Sequence, residues 1–190
     1  AVGINAMDAI TSGDKNTAVG YDALTALTEA NWNTAIGWNA GAVITTGWQN
    51  TVVGNNAGGA SLTTGIRNCY FGYDAGYVHS GSYNTFIGMQ SGGAAAATGD
   101  RNAAVGDYAM GSSGSSWGSA ALGERALGSL GGGDKNAGVG RYGGGGITTG
   151  DDNTCIGNVV GMLDGTQSQA ILTTGSHNTL IGSKTSVAAA

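Results

Sequence analysis

Proline is absent from this sequence, and charged residues make up only 10% of it, where an ordinary domain carries about 25%. Without proline, and with no three-residue glycine period, the 38 glycines cannot belong to a collagen helix. Scarce charge and frequent Val, Ile and Thr argue equally against a disordered tail. The net charge of −5 is spread along the chain with no basic patch, so neither nucleic acid nor an anionic membrane is an expected partner. No apolar run reaches 18 residues and no signal peptide opens the chain, which predicts a protein that as given neither spans nor enters a membrane. What remains is the composition of a repetitive β structure.

The repeat is plain once aligned. Asn-Thr-Ala-Val-Gly at Asn16 to Gly20 returns at Asn33, Asn50, Asn68, Asn84, Asn102, Asn136, Asn153 and Asn178, with a weaker copy opening at Ser119 and a copy cut at its start in Ala1-Val2-Gly3. The closing glycines are spaced 17, 17, 17, 18, 16, 18, 17, 17, 17 and 25 residues apart, the signature of stacked repeats. A second marker recurs as Ile44-Thr45-Thr46-Gly47, Leu62-Thr63-Thr64-Gly65, Ile147-Thr148-Thr149-Gly150 and Leu172-Thr173-Thr174-Gly175. Runs of four or five β-branched residues between Gly, Asn and Asp are strand-and-turn chemistry. The pattern therefore predicts an all-β chain: one parallel β-solenoid, or β-roll, of about eleven coils of 17 residues over 1–190, with two short strands per coil and an inserted loop at about 158–174. Parallel stacking at ~4.8 Å per coil gives a rod of about 50 Å.

Aligned coils superpose identical side chains. Asn16, Asn33, Asn50, Asn68, Asn84, Asn102, Asn136, Asn153 and Asn178 are expected to form a structural ladder of amides along the axis. With this Asn as position 0, position 3 reads Val19, Ile36, Val53, Phe71, Ile87, Val105, Leu122, Val139, Ile156 and Ile181 and is taken as the core row. Position 2 points the other way because strands alternate, and it too is small or apolar. In that assignment Tyr70 and Phe86 stand on an outer stripe and mark an intersubunit contact, so the rods should pack side by side.

Motifs for catalysis and metal binding are weak. Gly138-Val139-Gly140-Arg141-Tyr142-Gly143 matches a dinucleotide fingerprint, but no helix-forming stretch follows it. Gly114-Ser115-Ser116-Trp117-Gly118 matches a nucleophile elbow without its strand-turn-helix context, and the only histidines, His79 and His177, fall in turns. Asp14, Asp100, Asp134 and Asp151 recur at one turn position without the glycine pattern of calcium-binding rolls, which favours turn chemistry over metal. Dispersed charges also speak against a carbohydrate-active solenoid enzyme. No catalytic residue, metal or cofactor is expected. Cys69 and Cys155 lie five coils, about 24 Å, apart, too far for a bridge. Trp32, Trp48 and Tyr83, near turns of neighbouring coils, are the candidate surface-binding residues for a cell-surface glycan or protein.

The recurring Asn-Thr-Ala-Val/Ile-Gly, followed by Ala two or three residues later, resembles the head repeats of trimeric autotransporter adhesins and similar arrays in phage tail-fibre shafts, over essentially the whole chain. The resemblance implies a threefold assembly of parallel β-rolls and a structural, adhesive fibre segment that is extracellular, at a cell surface or on a virion. The chain starts and stops inside a coil, which predicts either part of a longer fibre or head-to-tail docking. The recurring Thr-Thr pair raises an ice-binding solenoid as the alternative, against which stand the interruptions at Glu29, His79, Gly131 and Gly132.

Overall fold

The structure, a computed structural model, describes residues 1–93, 97–112, 114–162 and 172–184. Ten three-residue strands follow one another: β1 Thr17–Val19, β2 Thr34–Ile36, β3 Thr51–Val53, β4 Cys69–Phe71, β5 Thr85–Ile87, β6 Ala103–Val105, β7 Ala120–Leu122, β8 Ala137–Val139, β9 Thr154–Ile156 and β10 Thr179–Ile181. They form a single parallel sheet in sequence order, so each strand pairs with the strand one coil earlier and one coil later. Register is fixed position on position, Thr17 over Thr34 and Val19 over Ile36, and Val2 makes an isolated parallel bridge to Val19 that adds the cut first copy. The fold is the expected β-solenoid, with no helix among the described residues.

Among the described residues the coils carry one strand rather than two, and away from it only isolated bridges, His79 to Ala97 and Gly143 to Val160, pair one coil with the next. The Thr-Thr-Gly marker forms a bend, and its hydrogen bonds explain why. The amides of Thr45, Thr46 and Gly47 all converge on the Thr63 carbonyl at 2.9, 3.4 and 3.4 Å. A strand would send alternate amides to successive carbonyls. The coils are still bonded at this corner, and the threonine hydroxyls reinforce it: Thr28 Oγ1 donates to the Thr45 carbonyl at 3.3 Å and Thr148 Oγ1 to that of Thr173 at 2.9 Å.

The direction of the strand is the reverse of the sequence expectation. Position 2 is the inward row: Ala18, Ala35, Val52, Tyr70, Phe86, Ala104, Ala121, Cys155 and Leu180 are buried. Tyr70 and Phe86 are therefore core residues and not intersubunit contacts. Position 3 faces out, with Val19, Ile36, Phe71, Ile87, Val105, Leu122, Val139, Ile156 and Ile181 between 37 and 67% exposed and Val53 half-buried. The physical reason is the width of the coil. Its interior is shared between position 2 and position 8, and the two divide one volume. In three coils an alanine at position 2 goes with a large residue at position 8, Ala18 with Leu24, Ala104 with Met110 and Ala121 with Leu127, all buried, whereas Ala35 goes with Gly41, beside which the Ile44, Leu24 and Val52 side chains fill the space. Where position 2 is aromatic, position 8 is glycine: a Cβ on Gly76 would run into the Tyr70 ring and one on Gly92 into that of Phe86. Bulk at position 3 is thus no sign of burial. The opposite wall is completed by Leu27, Ile44, Leu62, Leu130, Ile147 and Leu172.

The motif glycines form an axial row: from Gly3 to Gly157, a Cβ on each would strike the backbone carbonyl of the next, Gly20 on Gly37 and Gly54 on Gly72 among them. Of the loop expected at about 158–174, residues 163–171 lie outside the described residues. On its flanks Val160 bridges to Gly143 and Leu172 is in the core, so both ends of that stretch are already part of the coil.

Candidate functional site

Three linear features run along the rod: an internal amide ladder, an outward sheet face and a corner of stacked aromatic and basic side chains. Each arises because a repeat of fixed length superposes equivalent positions.

The ladder uses both ends of the Asn side chain. Asn33 Oδ1 accepts the backbone N–H of Asn50 at 3.0 Å and its Nδ2 at 3.1 Å, while Asn50 Nδ2 also donates to the Gly65 carbonyl at 2.8 Å at the far end of the same coil. One side chain thereby joins successive coils and closes its own. Equivalent bonds link Asn16, Asn33, Asn50, Asn68, Asn84 and Asn102 in one run, and Asn136, Asn153 and Asn178 in another. Ser119 spans the gap: its amide donates to Asn102 Oδ1 at 2.9 Å and its hydroxyl accepts from the Asn136 amide at 3.1 Å. Most of these groups are buried, where an unpaired amide is costly. Three of the four aspartates named above serve a similar end at the neighbouring corner, while at Asp14 the backbone amide donates to Asn31 Oδ1 instead. Asp100 Oδ1 accepts the Ser82 amide at 2.6 Å, Asp134 Oδ1 that of Trp117 at 2.8 Å and Asp151 Oδ1 that of Asp134 at 2.8 Å.

The sheet face presents position 1, mostly Thr or Ala, beside the apolar position 3, and no residue at either position of β1–β10 is charged. Its relief is uneven. Phe71 on β4 projects with 55% of its surface exposed. Across β6 to β8 position 1 shrinks to Ala103, Ala120 and Ala137, leaving an apolar depression of about 250 Å³ bordered by Val105, Leu122 and Val139. This depression escaped the sequence reading, although the change from Thr to Ala at three successive position-1 sites was its signal.

At the corner before the strand, Trp48, Arg67, Tyr83, Arg101 and Trp117 stack in turn. The Arg67 guanidinium lies 4.7 Å from the Trp48 ring and 5.4 Å from Tyr83, and that of Arg101 lies 5.0 Å from Tyr83 and 5.7 Å from Trp117. Arg67 is further held by Gln49 Oε1 at 2.8 Å and the Tyr83 hydroxyl at 3.0 Å. Lys15 covers Trp32 at 5.2 Å in the same fashion. The candidate residues Trp32, Trp48 and Tyr83 are thus brought onto one edge, with Tyr83 covered by an arginine from each neighbouring coil. Arg67, Arg101 and Trp117 belong with them and were missed. Arg67, Tyr83 and Arg101 all hold left-handed backbone at φ 57, 61 and 58°, a conformation that costs on the order of 1 kcal/mol without glycine. Axial bonds such as Arg67 N–H to the Trp48 carbonyl at 3.0 Å offset it.

Inside coils 4 and 5 sits an aromatic cluster. Tyr70 stacks on Phe86 at 5.1 Å, and His79 stands edge-on to Phe86 at 5.0 Å. His79 Nδ1 is 3.3 Å from the Tyr70 hydroxyl and accepts the Gly81 amide at 3.2 Å, while its Nε2 is buried without a partner. Burial holds the imidazole down at about 4, with the Asp100 charge pulling weakly the other way. Burial likewise pushes the Tyr70 phenol well above its ordinary range and the Cys155 thiol up to about 11. Cys69 and Cys155 are both free. The fingerprint glycines Gly138 and Gly140 belong to β8 and the axial glycine row, and Ser116 is buried. Among the described residues, no helix is long and apolar enough to cross a membrane, and no three His, Cys, Asp or Glu side chains gather to hold a metal. No family model matches this chain, and neither a curated protein nor a solved structure matches it.

Proposed function

We propose that the protein is a structural and adhesive rod segment working outside the cell, at a cell surface or on a virion, and that it associates with copies of itself. The observation that carries this reading is the amide ladder from Asn16 to Asn178, with Ser119 as its one substitute rung. It spends the most regular polar position of the repeat on rigidity. The outward positions then carry apolar and aromatic side chains suited to contact. The sheet face supplies a surface for self-association, and the Trp48 to Trp117 stack, with Trp32, supplies the adhesive edge for a glycan or protein. Electron microscopy of the purified protein tests the reading: straight rods, lengthening by ~4.8 Å per coil in variants with coils added, are expected. Flexible or globular particles would overturn it.

One observation favours ice binding as a second reading. Thr17, Thr34, Thr51, Thr85, Thr154 and Thr179 form a rank on the outward sheet face, interrupted by Cys69, Ala103, Ala120 and Ala137. Thermal hysteresis in the purified protein would favour it over adhesion.

A further inference from the structure

The row that precedes the amide ladder collects positive charge that the linear sequence disperses. Lys15, Arg67, Arg101 and Lys135, four of the seven lysines and arginines, stand one residue before Asn16, Asn68, Asn102 and Asn136. Stacking of the coils puts all four on one edge, exposed and with left-handed backbone between φ 53 and 59°. Arg67, Arg101 and Lys135 precede β4, β6 and β8, so these three recur at every second coil, about 9.6 Å apart.

The stack itself decides what this edge can hold. Arg67 and Arg101 lie over Tyr83 at 5.4 and 5.0 Å from the coils on either side, and they also cover Trp48 and Trp117. Nucleic-acid bases bind by stacking on open aromatic faces, as the apolar face of a neutral sugar does, and Tyr83 has none to offer. What the edge presents instead is guanidinium N–H. Arg67 spends Nε on Gln49 and Nη1 on the Tyr83 hydroxyl, which leaves Nη2, and Arg101 makes no side-chain hydrogen bond among the described residues. The ion pairs among those residues are Arg141 with Glu124 and His177 with Asp152, so neither stacked arginine has a carboxylate partner. Asp100 and Asp134 share the edge and weaken its field, but each turns an oxygen to a backbone amide of the preceding coil, Ser82 and Trp117.

We propose that this edge binds an acidic polysaccharide carrying one carboxylate per disaccharide, laid along the rod with successive carboxylates on Arg67, Arg101 and Lys135. The inference rests on the adhesive reading of this edge and names its ligand class. A sugar in an extended pyranose chain is close to one strand spacing long, so alternate sugars fall in step with alternate coils. The ligand is a polymer because each contact is an exposed charge pair, weak alone, and a chain that engages three of them gains by effective concentration. Stacking on the rings holds the two guanidinium groups in place beforehand, so less side-chain freedom is lost on binding.

Titration calorimetry of the full chain with hyaluronate, which has one carboxylate per disaccharide, should show saturable binding that weakens as salt is raised. Arg67→Gln and Arg101→Gln should each weaken it about fivefold, with unchanged melting by circular dichroism because both side chains face solvent. Arg141→Gln, beyond the other end of the strand, removes the same net charge and should leave binding unchanged. Neutral dextran and oligothymidylate should bind far more weakly than hyaluronate. No hyaluronate binding, tighter binding of dextran or oligothymidylate, or an equal loss in Arg141→Gln would overturn the proposal. Dextran binding that Trp48→Ala abolishes would end it while keeping the adhesive reading, and particles in the microscope that are not rods would end the structural reading whatever hyaluronate does.

Discussion

Exchanging volume between positions 2 and 8 of one coil should be far less harmful than either half of the exchange. Phe86 is 0% exposed, stacked on Tyr70 and edge-on to His79, with Gly92 behind its ring. Phe86→Ala should cost about 3–5 kcal/mol through lost burial and an unfilled cavity. Gly92→Met alone should cost at least as much, because its side chain has no space while the ring is present. Together they recreate the arrangement of the next coil, where Ala104 sits with Met110 and Met110 already holds φ 50°. The double variant should lose only about 1–2 kcal/mol, mostly the left-handed backbone of a non-glycine residue, so the double-mutant cycle should show several kcal/mol of favourable coupling. Urea unfolding followed by circular dichroism measures this directly. Additive losses would refute the idea that these positions divide one volume.

Further outcomes follow from the same geometry. Ile87→Asp should leave the coil folded, at a cost of about 1 kcal/mol or less, whereas Phe86→Asp should abolish β-content by burying an unpaired charge at more than about 4 kcal/mol. His79 is held down to about 4 in the folded chain. Its contribution is therefore complete above its unfolded value near 6.5 and is lost as the pH falls towards 4, a decline of about 3 kcal/mol that His79→Leu should remove from the pH profile of urea midpoints. Asn68 accepts the Asn84 amide at 2.9 Å and donates to the Gly81 carbonyl at 2.9 Å. Asn68→Ala strands both groups in the interior and should destabilise by about 2–5 kcal/mol in the same assay.

The architecture was legible because period is a one-dimensional property: the glycine spacing placed eleven copies in parallel order, of which ten form strands and the first only the bridge from Val2 to Val19. The ladder was legible for the same reason. Which strand face was inside was not, since Val52-Val53, Tyr70-Phe71 and Phe86-Ile87 are apolar at both positions and alternation cannot rank two apolar rows. The information lay ten residues or fewer away. Gly76 follows Tyr70 and Gly92 follows Phe86 by six residues, where Leu24 and Leu127 follow Ala18 and Ala121 at the same offset. The second strand was over-read because Thr and Ile suit strands by propensity, while three amides converging on one carbonyl is a bend that propensity does not register. At the corner, the rings of Trp32, Trp48 and Tyr83 were visible as a row, but the arginines between them were not. Arg67 and Arg101 stand sixteen and eighteen residues from Tyr83 and reach its ring only through the stacking of coils.

The inward and outward assignment is the claim on which core and sheet face both depend, and thiol accessibility tests it most directly. Cys155 already occupies position 2, buried, so cysteine is a tolerated residue there. In a chain with Cys69→Ala and Cys155→Ala, single cysteines at Ala104 and Val105 differ by one residue and by face. Diluted to monomer, the Val105→Cys thiol should react with a disulfide reagent within the time of an exposed model thiol, and the Ala104→Cys thiol only at the rate of unfolding. Rapid labelling at 104 with protection at 105 would contradict the account.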